Sequence, residues 1–403
     1  MLLKKTSYPL FIVFLLLSCN NIQNHKDNNV NKETTIIEIK TDEIEGKQDI
    51  SSLIDTIILT ELKEDNGYFI GEATKIFRLE DNSSIIFDRY NAKRISRFDS
   101  IGNRSTSYVA QGRGPNELIQ ISDCWLSDDK KEVYTYDHIL KRVIVFSSDL
   151  SKIERTYQSD NGAIYQNMMA INDHQFVGYV GYSDYDPLFK QKAHHLFVLN
   201  DQLRIMQADI PYDKSLRGAA ILTDRQPFQQ LNNKVRFSQV YDNNIYSIDS
   251  LGKVSVDYTI QYDKQLFPRD FPESVTKNIG VLKSRNYTPD QGRDLFTGYY
   301  GFFGEWRETK DYILFSSFNP DIVGFRTIYN KKEHKIVKQG FLFEDAQTKI
   351  LIPNFQGIDY EKNSFICMYS GAEIMEAFDK NSTLYNEVAK VPESNFLIEV
   401  VLK

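Results

Sequence analysis

Long apolar runs are almost missing from this 403-residue sequence. The one run of note, Tyr8 to Leu17, is too short to span a bilayer, which takes about 20 apolar residues. Cysteine is scarce, with three in the whole chain. A chain of this length can build a core without disulfide staples. No Cys-x-x-Cys pair is present to start a zinc site, so no metal is expected. No basic block occurs, and the net charge of −7 is spread along the chain, which sets nucleic acid aside as a partner. The sequence also lacks Gly-x-Ser-x-Gly, His-Glu-x-x-His and Gly-x-x-x-x-Gly-Lys, the signatures of common hydrolases, zinc peptidases and phosphate-binding loops. No Pro/Ser-rich linker divides the chain after about residue 35, which argues against separate domains. What is abundant is aromatic: 24 Tyr and 26 Phe, with Gly scattered throughout. These are features of a sheet-rich domain.

The first residues read MLLKKTSYPLFIVFLLLSC. Lys4 and Lys5 precede an apolar stretch with the size of a signal-peptide h-region, about 7–15 residues. Leu16-Leu17-Ser18-Cys19 resembles the lipobox at which lipoproteins are acylated and cut. The expectation is a lipoprotein signal peptide over 1–18 and palmitate-type acyl chains on Cys19. Two or three chains give a stable membrane anchor. The following NNIQNHKDNNVNKETT is polar and Asn-rich, so 19–34 is expected to act as a flexible tether. Residue 20 is Asn rather than the Asp that signals inner-membrane retention in some bacteria. The expected location is the cell envelope, lipid-anchored at the outer membrane, on its periplasmic or surface face.

Downstream, short runs rich in β-branched and aromatic residues alternate with Asp, Asn, Gly and Ser turns. Ile85-Ile86-Phe87-Asp88 is followed by Lys93-Arg94-Ile95. Val133-Tyr134-Thr135-Tyr136-Asp137 is followed by Lys141-Arg142-Val143, 48 residues further on. Asp99-Ser100-Ile101-Gly102 and Asp249-Ser250-Leu251-Gly252 share a turn. A strand-and-turn period of about 40–50 residues points to propeller blades of four strands each. The expected fold class is therefore all-β: a single six-bladed β-propeller over 35–403. A β-sandwich array or two β-domains is the alternative. Closing the ring calls for strands from both chain ends, and Asn395–Leu402 with Ile54–Leu62 suit that role. Helical periodicity is found only around Asp270–Ser284 and from Thr288 onward, as insertions.

The run Phe98 to Asn103, then Gln111-Gly112-Arg113-Gly114-Pro115-Asn116-Glu117, then Tyr136-Asp137, resembles the six-bladed β-propeller lipoproteins of Bacteroidetes, relatives of NHL-type propellers. The resemblance covers most of the chain after about Thr35. It implies fold and export, and does not settle an activity.

Three residues stand out as ligand-binding candidates. Gly112, Gly114 and Pro115 set Arg113 on a tight loop, where its planar fork suits a carboxylate, sulfate or phosphate. Glu117 closes the same loop, either pairing with Arg113 or meeting a ligand. Trp306 lies in the aromatic stretch Tyr299–Arg307, which could stack on sugars or peptides or simply pack the core. Arg94 and Arg142, at repeated positions, mark architecture. His194 and His195 face opposite sides of a strand and cannot share one metal. Asp128-Asp129 and Asp184-x-Asp186 read as turn acids, and the Asp-Ser/Thr-apolar triplets as weak O-glycosylation candidates. Cys124 and Cys367 either pair or sit as buried thiols. No cofactor is expected. The functional expectation is recognition of a glycan, peptide or partner protein rather than catalysis. The alternative is a lyase or hydrolase with its site in the central channel.

Overall fold

A strand with apolar residues at every position has to be covered on both faces, and many strands of this chain have that pattern. In the computed structural model, Ser84–Asp88, Asp123–Leu126 and Tyr312–Phe318 are buried at every residue. Ile153–Gln158, by contrast, alternates between half-buried and exposed. The first kind lies inside a stack of sheets and the second at a sheet edge. The structure describes residues 34–403 except 64–69, 160–162, 183–192, 220–224, 269–279, 281–296, 347, 349, 353 and 354. Cys19, the signal peptide and the tether lie outside the described residues. So do Asp184, Asp186 and nearly all of the two helical insertions.

The sheets are antiparallel meanders. Asp123–Leu126, Glu132–Asp137, Arg142–Ser147 and Ile153–Gln158 form one. Asn167–Asn172, Gln175–Tyr179, His194–Asn200 and Ile205–Pro211 form the next. Phe228–Leu231 begins a third and Gly301–Glu308 a fourth. An eight-stranded sheet holds the remainder, and it is joined at its middle by a parallel pair, Gly357–Asp359 against Lys75–Arg78. To one side lie Ser84–Asp88, Arg94–Phe98 and Arg104–Val109. To the other lie Ser364–Ser370, Asn395–Leu402 and Ile54–Leu62.

Side-chain alternation stitches these meanders together. Ile85 and Phe87 pack with Cys124, Val133 and Ile144 of the following meander, whereas Ile86 packs with Ile366 and Leu397 of the preceding one. Val143 and Val145 face onward to Phe176 and Phe197, while Ile144 and Phe146 face back. Farther along, Ile313 and Phe315 pack toward Ile245 and Ile260, and Leu314 packs toward Phe365 and Ile398. Each apolar layer thus lies between two successive meanders, and the last layer returns to the first.

The chain ends close that circuit. Asn395–Leu402 pairs antiparallel with Ile54–Leu62, from Asn395 opposite Leu62 to Leu402 opposite Ile54. The strands before it add in parallel to outer edges: Thr35–Ile39 beside Val254–Tyr262, and Glu45–Asp49 beside Lys335–Asp345. Edges that would otherwise present unpaired backbone are covered this way.

The helical expectation at 270–284 and from Thr288 falls almost wholly outside the described residues. The described helices of more than one turn are Gly371–Ala377 and Thr383–Val388, inserted before the last strand. Ser370 and Glu373 form a capping box on the first, and Ser382 caps the second. Among the described residues no helix is long and apolar enough to cross a membrane.

Candidate functional site: the central cavity

The first strand of each meander is its innermost, and these strands converge on a cavity of about 140 Å³. Trp125, Met169, Phe228 and Ile358 give it apolar walls. Gln226, Gln229, Gln230 and Gln356 bring amides to the same space. Four cations, Lys75, Arg78, Lys130 and Arg307, also line it.

Most of that charge is neutralised inside the protein. Lys75 Nζ lies 2.6 Å from Asp123 Oδ1 and also donates to the Cys124 carbonyl at 3.1 Å. The other carboxylate oxygen of Asp123 accepts from Met168 N at 3.0 Å and Asn167 Nδ2 at 3.2 Å, so one aspartate ties three innermost strands together. Arg78 Nη2 meets Glu399 Oε2 at 2.6 Å, and Ser364 Oγ holds the other Glu399 oxygen at 2.6 Å. Beside the cavity, Arg236 donates to both Asp257 and Glu308 at 2.8 Å, and Lys331 adds a second cation on Glu308 at 2.8 Å. Burial pushes the Glu308 carboxyl up. Arg236 and Lys331 pull it down by more, and it ends below its ordinary range.

Polar contacts also link meanders that are not neighbours in sequence. Gln226 Nε2 donates to the Thr74 carbonyl. Arg225 pairs with Glu72 at 2.8 Å and lies over the Tyr90 ring. At turns after the innermost strands, Asn233 N donates to Asp128 at 3.4 Å and Asn232 Nδ2 to Glu361 at 3.3 Å. Lys130 Nζ stands 3.9 Å from Asp359.

The Gly112–Glu117 loop connects an outer strand to the next innermost strand. Glu117 Oε2 accepts from Gly114 N at 2.7 Å, and a Cβ on Gly112 would come within 2.0 Å of that oxygen. A larger residue there would push the Glu117 side chain out of this contact. Arg142 braces the loop, with Nη1 donating to the carbonyls of Gly114, Pro115 and Glu117 at 2.7, 3.0 and 3.1 Å. Arg113 is exposed and makes no hydrogen bond or ion pair among the described residues. It does not pair with Glu117.

Trp306 requires a correction. It is 2% exposed, stacked on Phe315 and close to Tyr258, with its indole N–H 3.3 Å from Glu308. A ring enclosed in this way packs the core and is not offered to a ligand.

His195 is buried, with Nδ1 2.9 Å from the Val180 carbonyl and its ring stacked on Tyr212. Cys124 and Cys367 are free, buried thiols in different apolar layers, and burial pushes both well above the usual thiol range. Asp129 accepts from Ser127 Oγ at 2.7 Å as a turn acid, whereas Asp128 lines the cavity. Among the described residues no group of three or more His, Cys, Asp or Glu is placed to hold a metal.

Of the cavity's innermost-strand residues, Arg307 alone was touched on from the sequence, as the end of the Tyr299–Arg307 aromatic stretch. Their one local signal is a cluster of amides, Gln226, Gln229 and Gln230, around a short strand where apolar residues would be expected.

An all-β ring of meanders packed face to face, with a cavity where the first strands meet, is the arrangement of propeller-type proteins. The family model described as Domain of unknown function (DUF4934) matches residues 34–400, and the chain belongs to that family. No curated protein matches it. Among solved structures it is similar to a Bacteroides fragilis NCTC 9343 protein described as exported. Identity is 14% and the TM-score 0.72, over 92% of this chain and 100% of the other. It is also similar to a member of the DUF4221 family from Bacteroides vulgatus ATCC 8482, at 10% identity and a TM-score of 0.52, over 87% of this chain and 97% of the other. The WD40 repeats of RRP9 align at 8% identity and a TM-score of 0.41, over 86% of this chain and 97% of the other. The resemblance drawn from sequence therefore holds at a coarser level: a propeller-type arrangement of sheets, shared in fold with Bacteroides proteins.

Proposed function

We propose that this chain is a lipid-anchored recognition protein of the cell envelope, with its ligand seated in the central cavity. In this reading residues 1–18 are removed as a signal peptide and Cys19 is acylated. Residues 19–34 tether the domain at the outer membrane. Residues 35–403 form a six-bladed β-propeller in which each meander is one blade built on four strands. The observation that carries the proposal is the cavity itself. Aromatic and aliphatic walls, with the Gln230 and Gln356 side chains in the lining while Gln229 is held by the Glu308 backbone, suit a glycan or a short peptide, which offers apolar faces and many hydrogen-bonding groups. Arg113 on the exposed loop is a second contact point, for a ligand or partner larger than the cavity. The alternative, a lyase or hydrolase, would have to draw its acid or base from Asp128 or Lys130, because Lys75 and Arg78 are engaged by Asp123 and Glu399.

The test is thermal unfolding of the full-length chain in detergent, screened against glycans and short peptides, with Gln230→Trp and Arg113→Ala alongside. A ligand at a hundred times its Kd stabilises the folded state by about 2.7 kcal/mol. The proposal predicts an upward shift that Gln230→Trp abolishes by filling the cavity. A shift lost in Arg113→Ala and kept in Gln230→Trp would move the site to the loop. Turnover of a screened compound would replace recognition with catalysis.

A further inference from the structure

Buried cations in folded proteins are paired, because an unpaired charge out of water is costly. The cations in and around this cavity follow that rule with one exception. Lys75 has Asp123, Arg78 has Glu399, and Arg236 has both Asp257 and Glu308. Arg307 is 7% exposed and lines the cavity, yet it has no carboxylate partner among the described residues. Its Nε donates to the Phe355 carbonyl at 3.2 Å and its Nη1 to the Trp306 carbonyl at 2.8 Å. Those two bonds fix the guanidinium in place without neutralising it, and Nη2 makes no hydrogen bond among the described residues. Trp125, also part of the lining, is fully buried and stacked on Tyr134, so the wall beside Arg307 is apolar.

We infer that the cavity takes a small organic monoanion, a carboxylate joined to an apolar or sugar-like body, with Arg307 as its counter-ion. This rests on the reading of the cavity as a binding site. The charge sets the class. Lys75 and Arg78 are already neutralised, so Arg307 leaves one positive charge to be met. A planar fork suits a carboxylate. Asp128, the carboxylate among the described lining residues, lies at a turn, where it accepts from Asn233 N. The volume of about 140 Å³ and the Phe228, Met169 and Ile358 walls limit the body to a single ring or a short chain.

The experiment is calorimetric titration of the full-length chain, with tryptophan fluorescence as a second signal. The probes are benzoate and glucuronate, with benzamide and glucose as their uncharged counterparts. The same titrations are run on Arg307→Met and Arg307→Lys, each first checked for wild-type circular dichroism. The inference predicts that at least one carboxylate binds tenfold or more tighter than its uncharged counterpart. Arg307→Met should remove that preference, and Arg307→Lys should restore part of it. Should Arg307→Met fail to fold, Arg307→Lys and the carboxylate preference of the wild-type chain decide. Equal binding of charged and uncharged probes would overturn the anion assignment and leave the recognition reading standing. Binding of none of the four would also overturn it, while the wider glycan and peptide screen judges the recognition reading separately.

Discussion

Arg142 Nη1 donates to the Gly114 carbonyl oxygen at 2.7 Å, so a side chain of one strand holds a loop 28 positions earlier in the chain. The most recognisable motif of the sequence, Gly-Arg-Gly-Pro-x-Glu, is therefore braced by an arginine outside the motif. Its own Arg113 faces solvent. Replacing Arg142 with Ala should cost about 1.5–3 kcal/mol in urea unfolding, the range for hydrogen bonds to a charged group. Arg113→Ala should stay within about 0.5 kcal/mol of wild type. Equal losses would mean that both arginines brace the loop.

Leu62 and Leu397 belong to the apolar layer where the two chain ends meet the first meander. Each Leu→Ala change should cost about 2–5 kcal/mol. Because the side chains share one layer, the double variant should differ from the sum of the singles by at least about 0.5 kcal/mol. Simple additivity would show that the ends do not close the structure as one unit.

Glu308 links stability to pH. Its folded pKa is lowered from an ordinary value of 4.5. A depressed carboxylate contributes stability that is fully present above the unfolded pKa and is lost as pH falls through the folded one. Wild type should therefore lose stability below about pH 4.5, and Glu308→Gln should show a shallower acid slope. At neutral pH the same variant should be less stable by roughly 3–5 kcal/mol, because Arg236 and Lys331 lose a buried partner. An unchanged acid slope would contradict the role given to this cluster.

Cys124 and Cys367 are buried, and burial raises both thiols well above the usual range. Reactive thiols are exposed and thiolate-rich, and these are neither. Neither should be alkylated in the native chain, and both should react once guanidinium unfolds it. Fast native labelling of either would place it at a surface.

How much of this could be read in advance follows from which interactions are local. The Asp99 and Asp249 turns were visible because one Asp side chain accepts from residues two and four ahead, and a glycine at φ near +80 completes each turn. Asn200 builds the same turn with Leu203 at positive φ, and no Asp or Gly marks it. The closing pair of strands was legible from apolar alternation at both ends. The Ser370–Glu373 capping box is also a local signal, but it stands among strands and was passed over. Trp306 kept two readings, ligand contact and core packing, because an aromatic cluster looks the same in sequence whether it faces a ligand or a neighbouring sheet. The cavity wall was not legible at all. Lys75, Trp125, Gln230 and Arg307 are brought together only by the packing of separate meanders, and no spacing along the chain encodes that meeting.

The most direct test of the account is hydrogen exchange on the full-length chain, with and without a ligand found in the screen. Placement in the cavity predicts slower exchange over residues 75–78, 125–130, 226–232 and 356–360, joined by 111–117 only for a ligand larger than the cavity. Protection confined to 111–117, with the innermost strands exchanging as before, would contradict the account and move recognition to the rim.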